Sequence, residues 1–194
     1  MHAGPRGPER RAALLQAAYR LFTRQGYHGT SMRQIARQAG VAPATIYHYF
    51  ADKRALFAAV YEQHHPYRAV AQWLVEAAQE ADMHRCLQRL LQRLHAALNQ
   101  QPEFLNLVFI EWVEFQGRHA RARWEAFLPQ WRAALAQCRA SPALQAQAPA
   151  LLWGLIGVFI MSYLPGRLAL PHALPPERLL RAMLQAAASG DAIP

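Results

Sequence analysis

Ala44, Tyr47 and His48 stand at i, i+3 and i+4, the spacing that gathers side chains onto one helical face. Ile46 and Phe50, four apart, take the opposite, inward face. An outer face of small, polar and aromatic groups without a carboxylate suits the major groove of DNA, because small residues at its start allow close approach to base edges. Lys53 and Arg54 follow the capping residue Asp52. The dipole at a helix N-terminus disfavours cations by about 0.3–1 kcal/mol each, and a phosphate nearby would reverse that sign. Lys53 is also the single lysine beside twenty arginines, so a strong drift toward Arg has spared this one position.

Other candidate chemistry is weaker. Phe104, Phe109, Trp112, Phe115, Trp124, Phe127 and Trp131 crowd two adjacent segments. They read either as ordinary core or as the wall of an apolar ligand cavity. Glu111 and Glu114 flank Trp112, where they would select a cationic ligand or simply form a solvated helix face. The nine histidines show no pair at i, i+4 with a third ligand, so no metal site is expected. There is no Gly-x-Ser-x-Gly elbow, no Gly-rich phosphate loop and no Cys-x-x-Cys, which argues against an enzyme and gives no cofactor motif.

The elements that must position these residues are helices. Ala, Leu, Gln and Arg dominate, Val, Ile and Thr are scarce, and no strand alternation appears, so an all-α fold of about nine helices is expected. The first helix spans 9–25, with Leu14, Ala17, Ala18, Leu21 and Phe22 at helical spacing, and stops at Gly26. Thr30 or Ser31 caps a short second helix with Ile35, Ala36 and Ala39 inward; Gly40 fits its C-terminal turn. A third short helix runs from about Ala42 to Phe50, with Pro43 tolerated in its first turn. Val41 and Ile35 pack under the turn between the second and third helices, and those proportions are those of a helix-turn-helix.

Asp52 caps a fourth helix, which Pro66 bends or splits. Asp82 caps a fifth, with Met83, Leu87, Leu90, Leu91, Leu94 and Leu98 inward and Arg85, Arg89 and Arg93 outward. Pro102 opens an apolar sixth, Gly117 divides it from a seventh over 119–139, Pro149 opens an eighth and Pro176 a ninth. The eighth is apolar nearly all round, and such a helix must be covered on every side. Gly154 and Gly157 permit close backbone approach. Together with the stripe Leu179, Leu180, Met183, Leu184 and Ala187, this predicts a four-helix homodimer core with Trp153, Gly157, Phe159, Leu180 and Leu184 at the interface. The expected division is a disordered arm over 1–8, a helix-turn-helix domain over 9–57, and a ligand-binding and dimerisation domain over 58–194.

Composition sets the outer limits. Hydrophobic residues make up 53% and charged residues 17% of the 194, ample for a packed core and against global disorder. Of the formal net charge of +9, residues 1–65 carry nine Arg/Lys against three Asp/Glu, an excess of six, and a phosphate backbone is the commonest partner for such a patch. Cys86 and Cys138 lie in apolar-leaning stretches without a disulfide framework, and Met1–Pro8 lacks an apolar signal core, so a reduced, cytoplasmic setting is expected. The apolar run 150–164 would reach roughly 22 Å as a helix, short of the roughly 30 Å membrane core, so a helix buried against protein is expected and no membrane partner.

The runs Ala18-Tyr19-Arg20-Leu21-Phe22, Gly26-Tyr27, Thr30-Ser31, Ile35-Ala36, Ala39-Gly40-Val41, Thr45-Ile46-Tyr47, Tyr49-Phe50 and Lys53 with Leu56-Phe57 resemble the DNA-binding domain of the tetracycline-repressor (TetR) family. The match is nearly gap-free over about fifty residues; the remainder resembles the family in length and helix count only. The resemblance implies that Thr30 and Ser31 meet phosphate, that Arg33 reaches phosphate or a guanine edge, that Pro43, Ala44, Thr45 and His48 lie at or near bases, and that Tyr47 and Lys53 bind phosphate. Tyr49 fits either core or phosphate. Ala42 stands where a Ser or Thr cap is frequent and Ala44 where Gly is frequent, and Ala42 forgoes a cap worth about 1 kcal/mol. The resemblance also implies an apolar cavity with Phe109, Trp112, Trp124 and Phe127 as a group. The resulting reading is a transcriptional regulator, by default a repressor, that binds double-stranded DNA at a palindromic operator as a homodimer and is released by a small apolar or aromatic effector. A ligand-independent regulator or a helical interaction protein is the alternative.

Overall fold

The computed structural model describes residues 7–65, 67–80, 82–137, 150–151, 153–157, 160, 178–179, 181–182 and 185–186. Their regular structure is helical throughout: α1 (Gly7–Gln25), α2 (Met32–Gln38), a 3-10 helix (Thr45–His48), α3 (Lys53–His64), α4 (Tyr67–Ala77), α5 (Met83–Gln100), α6 (Phe104–Phe115) and α7 (Arg118–Gln137). That is seven α-helices among the described residues; the segments expected to form the eighth and ninth lie largely outside them, so the count of nine is not confirmed. The chain divides into two compact units, one of residues 1–65 with 101–122, the other of 66–100 with 123–194.

In the first unit, α1 packs against α2, α3 and α6. Leu14, Ala18, Phe22, Ile35, Ala36, Ile46, Leu56, Phe57 and Val60 are fully buried. Short-range signals set the helix ends. Ser31 Oγ accepts from the Gln34 amide at 3.2 Å while Gln34 Oε1 accepts from the Ser31 amide at 2.8 Å, a reciprocal capping box. Past the end of α2, Val41 N donates to Ala36 O at 3.0 Å and Gly40 N to Arg37 O at 3.1 Å, with Gly40 at φ +70°. This is a Schellman ending, in which a residue other than Gly would be strained. Asp52 Oδ1 accepts from the Ala55 amide at 2.7 Å and starts α3. His65, before Pro66, is extended at φ −70°, ψ 130°, as a residue preceding proline must be, so the expected long fourth helix is two helices.

The third element of the helix-turn-helix departs from expectation. In place of an α-helix from Ala42 to Phe50, the chain forms a turn and then four residues of 3-10 helix. Thr45 N bonds to Ala42 O at 2.9 Å and Tyr49 N to Ile46 O at 3.1 Å, both i to i−3. The reason is local: Ala44 supplies no capping side chain, Ala42 has none to offer, and Pro43 lacks a backbone donor. Ile46 and Phe50 still bury as expected.

The second unit is built on α4 against α5. Leu74, Ala77, Met83, Cys86, Leu87, Leu90 and Leu91 bury together with Trp131, Ala134, Leu151 and Leu155. On the outer face of α5, Arg85, Arg89 and Arg93 pair with Asp82, Glu80 and Glu76, exposed pairs that contribute little to stability.

The caps carry a measurable share of the first unit's stability. Asp52→Ala should destabilise by about 1 kcal/mol in denaturant unfolding, and Asp52→Asn, which keeps an acceptor, by a few tenths. Equal losses would remove capping as the role of Asp52.

Candidate nucleic-acid interface

Between Glu9 and Asp52 the chain has six arginines and no carboxylate side chain. On α2, Arg33 and Arg37 are exposed, as is the capping residue Ser31. Pro43, Ala44 and His48 are exposed too, Tyr47 stands 58% exposed, and Thr45 is half-buried. These residues share two short consecutive elements whose opposite sides, Ile35, Ala36 and Ile46, are buried. The outcome is a cationic, aromatic and small-residue surface on a rigid support. Arginine there can fork onto phosphate or guanine, and the Tyr47 phenol can donate to phosphate. Tyr49 is half-buried, while Phe50 packs inward under the Arg11 guanidinium, 5.3 Å from its ring centroid.

Two residues on the expected DNA list are occupied internally. Thr30 is 1% exposed and its hydroxyl donates to Gly26 O at 2.8 Å, so the side chain braces the α1–α2 turn. Lys53 Nζ donates to Tyr27 O and Thr30 O, both at 2.9 Å, and lies 4.3 Å from the Tyr27 ring centroid. One of its three N–H bonds remains for a phosphate. Burial lowers the Lys53 pKa, opposed in part by the Glu114 carboxylate. Gly29 completes the turn: a Cβ there would meet Gln25 O at 2.4 Å, and its own carbonyl accepts from Gln25 Nε2 at 2.7 Å.

α6 is joined to this turn and to α1. Asn106 Nδ2 donates to Thr23 O at 2.7 Å, His28 Nε2 meets Glu114 Oε2 at 2.5 Å, and Phe115 packs on Tyr27 and Phe57 at 5.0 and 4.5 Å between centroids. Glu111 is fully buried. Its carboxylate accepts from the amides of His119 at 2.6 Å and Ala120 at 3.1 Å and meets His119 Nδ1 at 2.7 Å. The expectation that Glu111 selects a ligand or lines a solvated face gives way to a cap for the start of α7. Sequence spacing did not signal it, because the acceptor lies eight residues before the donor across the left-handed pair Gln116 and Gly117.

The four aromatics expected as one group fall into two pairs in different units. Phe109 and Trp112 lie edge to face at 6.0 Å and are 36% and 43% exposed. Trp124 and Phe127 lie 6.5 Å apart, with Trp153 at 4.7 Å from Trp124 and Trp131 at 6.3 Å from Phe127. Of the residues expected at a dimer interface, Trp153 is 61% exposed and Gly157 is exposed with no atom within 4 Å of a built Cβ. Phe159, Leu180 and Leu184 lie outside the described residues. No group of three metal-binding side chains occurs among the described residues, and no helix among them is long and apolar enough to cross a membrane.

The fold and this surface are those of a helix-turn-helix domain, in a chain whose regular structure is helical among the described residues. Residues 14–60 match the model for bacterial regulatory proteins of the tetR family, so this domain is of the TetR type. Residues of the chain are 51% identical over 45 positions to the HTH-type transcriptional regulator HbdR of Aromatoleum sp. (strain CIB), covering 23% of this chain and 20% of that protein. They are 43% identical over 56 positions to the HTH-type transcriptional activator FasR of Mycolicibacterium smegmatis, covering 29% and 26%. The matches thus span about a fifth to a quarter of these relatives' length. Over nearly the whole chain the fold is similar to that of a transcriptional regulator from Pseudomonas aeruginosa PAO1, with TM-score 0.70, 23% identity, and coverage of 96% of this chain and 92% of that one. That likeness speaks to fold.

Two tests follow from the packing beneath the interface. Glu111→Ala leaves the His119 and Ala120 amides without their acceptor and should cost at least about 2 kcal/mol in denaturant unfolding, with Glu111→Gln costing clearly less; equal costs would deny the cap. His64 stacks on Tyr19 at 3.8 Å, and desolvation holds its pKa below the ordinary 6.5. The unfolded chain therefore binds this proton first, so stability present above about 6.5 is lost as pH falls. His64→Phe should keep the stack and flatten that acid-side loss in thermal melts between pH 7.5 and 5; an unaltered slope would clear His64.

Proposed function

We propose that the chain is a transcriptional regulator that binds a palindromic operator as a homodimer through Ser31, Arg33, Pro43, Ala44, Thr45, Tyr47 and His48. Lys53 adds one N–H to phosphate, and Thr30 contributes through the turn it braces. The observation that carries this reading is the exposed, carboxylate-free surface of α2 and the 3-10 helix on a TetR-type domain. Arg33 and Arg37 supply charge, Tyr47 a phosphate donor, and Ala44 room beside base edges.

Dimerisation is assigned to Trp153, Gly157, Phe159, Leu180 and Leu184; of these, Trp153 and Gly157 are described, and an exposed Trp and an open Gly on an apolar segment need cover. Effector binding is assigned to the aromatic set around Trp124 and Phe127, which offers stacking surface to a small apolar or aromatic molecule. The Phe109–Trp112 pair is a second aromatic surface for the same class of ligand. Repression released by the effector is the working sense of regulation. The protein acts as a binding protein, not an enzyme, and works in the cytoplasm.

Selection of duplexes from a random pool with the purified chain tests this reading. The expected product is a site of two half-sites about one helical turn, roughly 34 Å, apart. Arg33→Ala should lose about 1–3 kcal/mol against the selected site at one base-pair position, and Tyr47→Phe should weaken binding to all sequences alike. Recovery of no enriched duplex from the pool, or a chain that sediments as a monomer at micromolar concentration, would overturn it.

A further inference from the structure

The turn between α1 and α2 is short, rich in glycine and folded back on itself, so its carbonyls need donors beyond the helical backbone ladders. The Thr30 amide reaches Tyr27 O at 3.3 Å, and side chains meet the rest of the need. Gly26 O accepts from the Thr30 hydroxyl, Gly29 O from Gln25 Nε2, and Tyr27 O and Thr30 O both from Lys53 Nζ. The last two bonds come from a residue more than twenty positions away, at the first turn of α3. They therefore tie the start of α2 to the start of α3, the two ends between which the DNA-facing residues 31–48 are strung.

We infer that Lys53 is the positioning residue of the DNA-reading surface: its ammonium clamps the carbonyls of Tyr27 and Thr30 against the N-terminus of α3 before any DNA is present. The role needs an ammonium. Its N–H bonds diverge from one point, so two reach the carbonyls of Tyr27 and Thr30 while the charge sits beside the Tyr27 ring and the third stays open, whereas the planar fork of Arg aims its donors in one plane from a longer stem. That requirement accounts for the only lysine in a chain with twenty arginines. Together with the Glu114 carboxylate, the carbonyl oxygens and the Tyr27 ring, 4.3 Å from Nζ, offset the unfavourable placing of a cation at a helix N-terminus.

The consequence for DNA rests on the function proposed above; the clamp does not. The single lysine makes a direct test available on the unmodified protein. With lysine labelled at 15Nζ, the chain gives one side-chain ammonium resonance. A clamped ammonium should give a resolved, slowly exchanging signal in the DNA-free protein. A side chain that waits in solvent for phosphate would exchange too fast to be seen without DNA; that result overturns the inference. Lys53→Arg supplies the functional arm. It keeps the charge, so the salt slope of DNA binding should hold, yet affinity should fall by roughly tenfold or more because the clamp is lost. Wild-type affinity in Lys53→Arg, with folding confirmed by its thermal melt, also overturns the positioning role. A wild-type chain that binds no duplex but shows the slow ammonium signal keeps the clamp and sinks only the DNA reading.

Discussion

Every backbone carbonyl withdrawn from water must find a donor, and at residues 26–30 side chains supply most of those donors. The turn there is too tight for helix or sheet to supply them. Its donors, besides the Thr30 amide on Tyr27 O, are side chains from three places: Gln25 at the end of α1, Thr30 within the turn, and Lys53 at the start of α3. The angle at which α2 leaves α1, and so the attitude of the surface that follows, depends on those bonds being made together. Gly29 shows how little slack remains, since a single added carbon would collide with the Gln25 carbonyl.

The same economy shapes the support beneath. α6 comes from far along the chain, yet it joins the rest of the first unit through a hydrogen bond from the Asn106 side-chain amide to the Thr23 carbonyl, a Glu114–His28 contact and the Phe115 ring on Tyr27 and Phe57. Phe57 and Tyr27 are themselves in edge contact at 5.7 Å. The turn is thus held on one side by Lys53 and on another by an aromatic stack, and charge, hydrogen bonding and burial all act on the same few residues.

What the sequence revealed and what it hid divide along one physical line. Caps and periodic faces are local. Ser31, Asp52, Gly40, the inward set of α5 and the break at Pro66 were legible because each needs only its neighbours within a turn or two. The internal partners of Thr30, Lys53 and Glu111 are not legible, because they are set by how the chain folds back. The resemblance implies phosphate for Thr30 and Lys53 and says nothing of their carbonyl partners, and the spacing of Glu111 fits a solvated face although the residue is buried. The spacing of Ile46 and Phe50 fits an α-helix, and Phe50 N does bond to Ile46 O at 3.0 Å; the uncapped start with Pro43 leaves Thr45–His48 in 3-10 form. The aromatic group was legible as a composition, not as a place, since Phe109 and Trp112 fall in one unit and Trp124 and Phe127 in the other.

The central claim is that the exposed cationic surface of α2 and the 3-10 helix engages duplex phosphates. The salt dependence of duplex binding, followed by anisotropy of a labelled duplex from about 50 to 300 mM salt, tests it most directly. Each phosphate neutralised contributes a slope of about −0.9 in log affinity against log salt. The account predicts a steep slope, about −4 or beyond for a dimer with two or more cationic contacts per protomer. A duplex affinity that is flat with salt, or absent at the lowest salt, would contradict it.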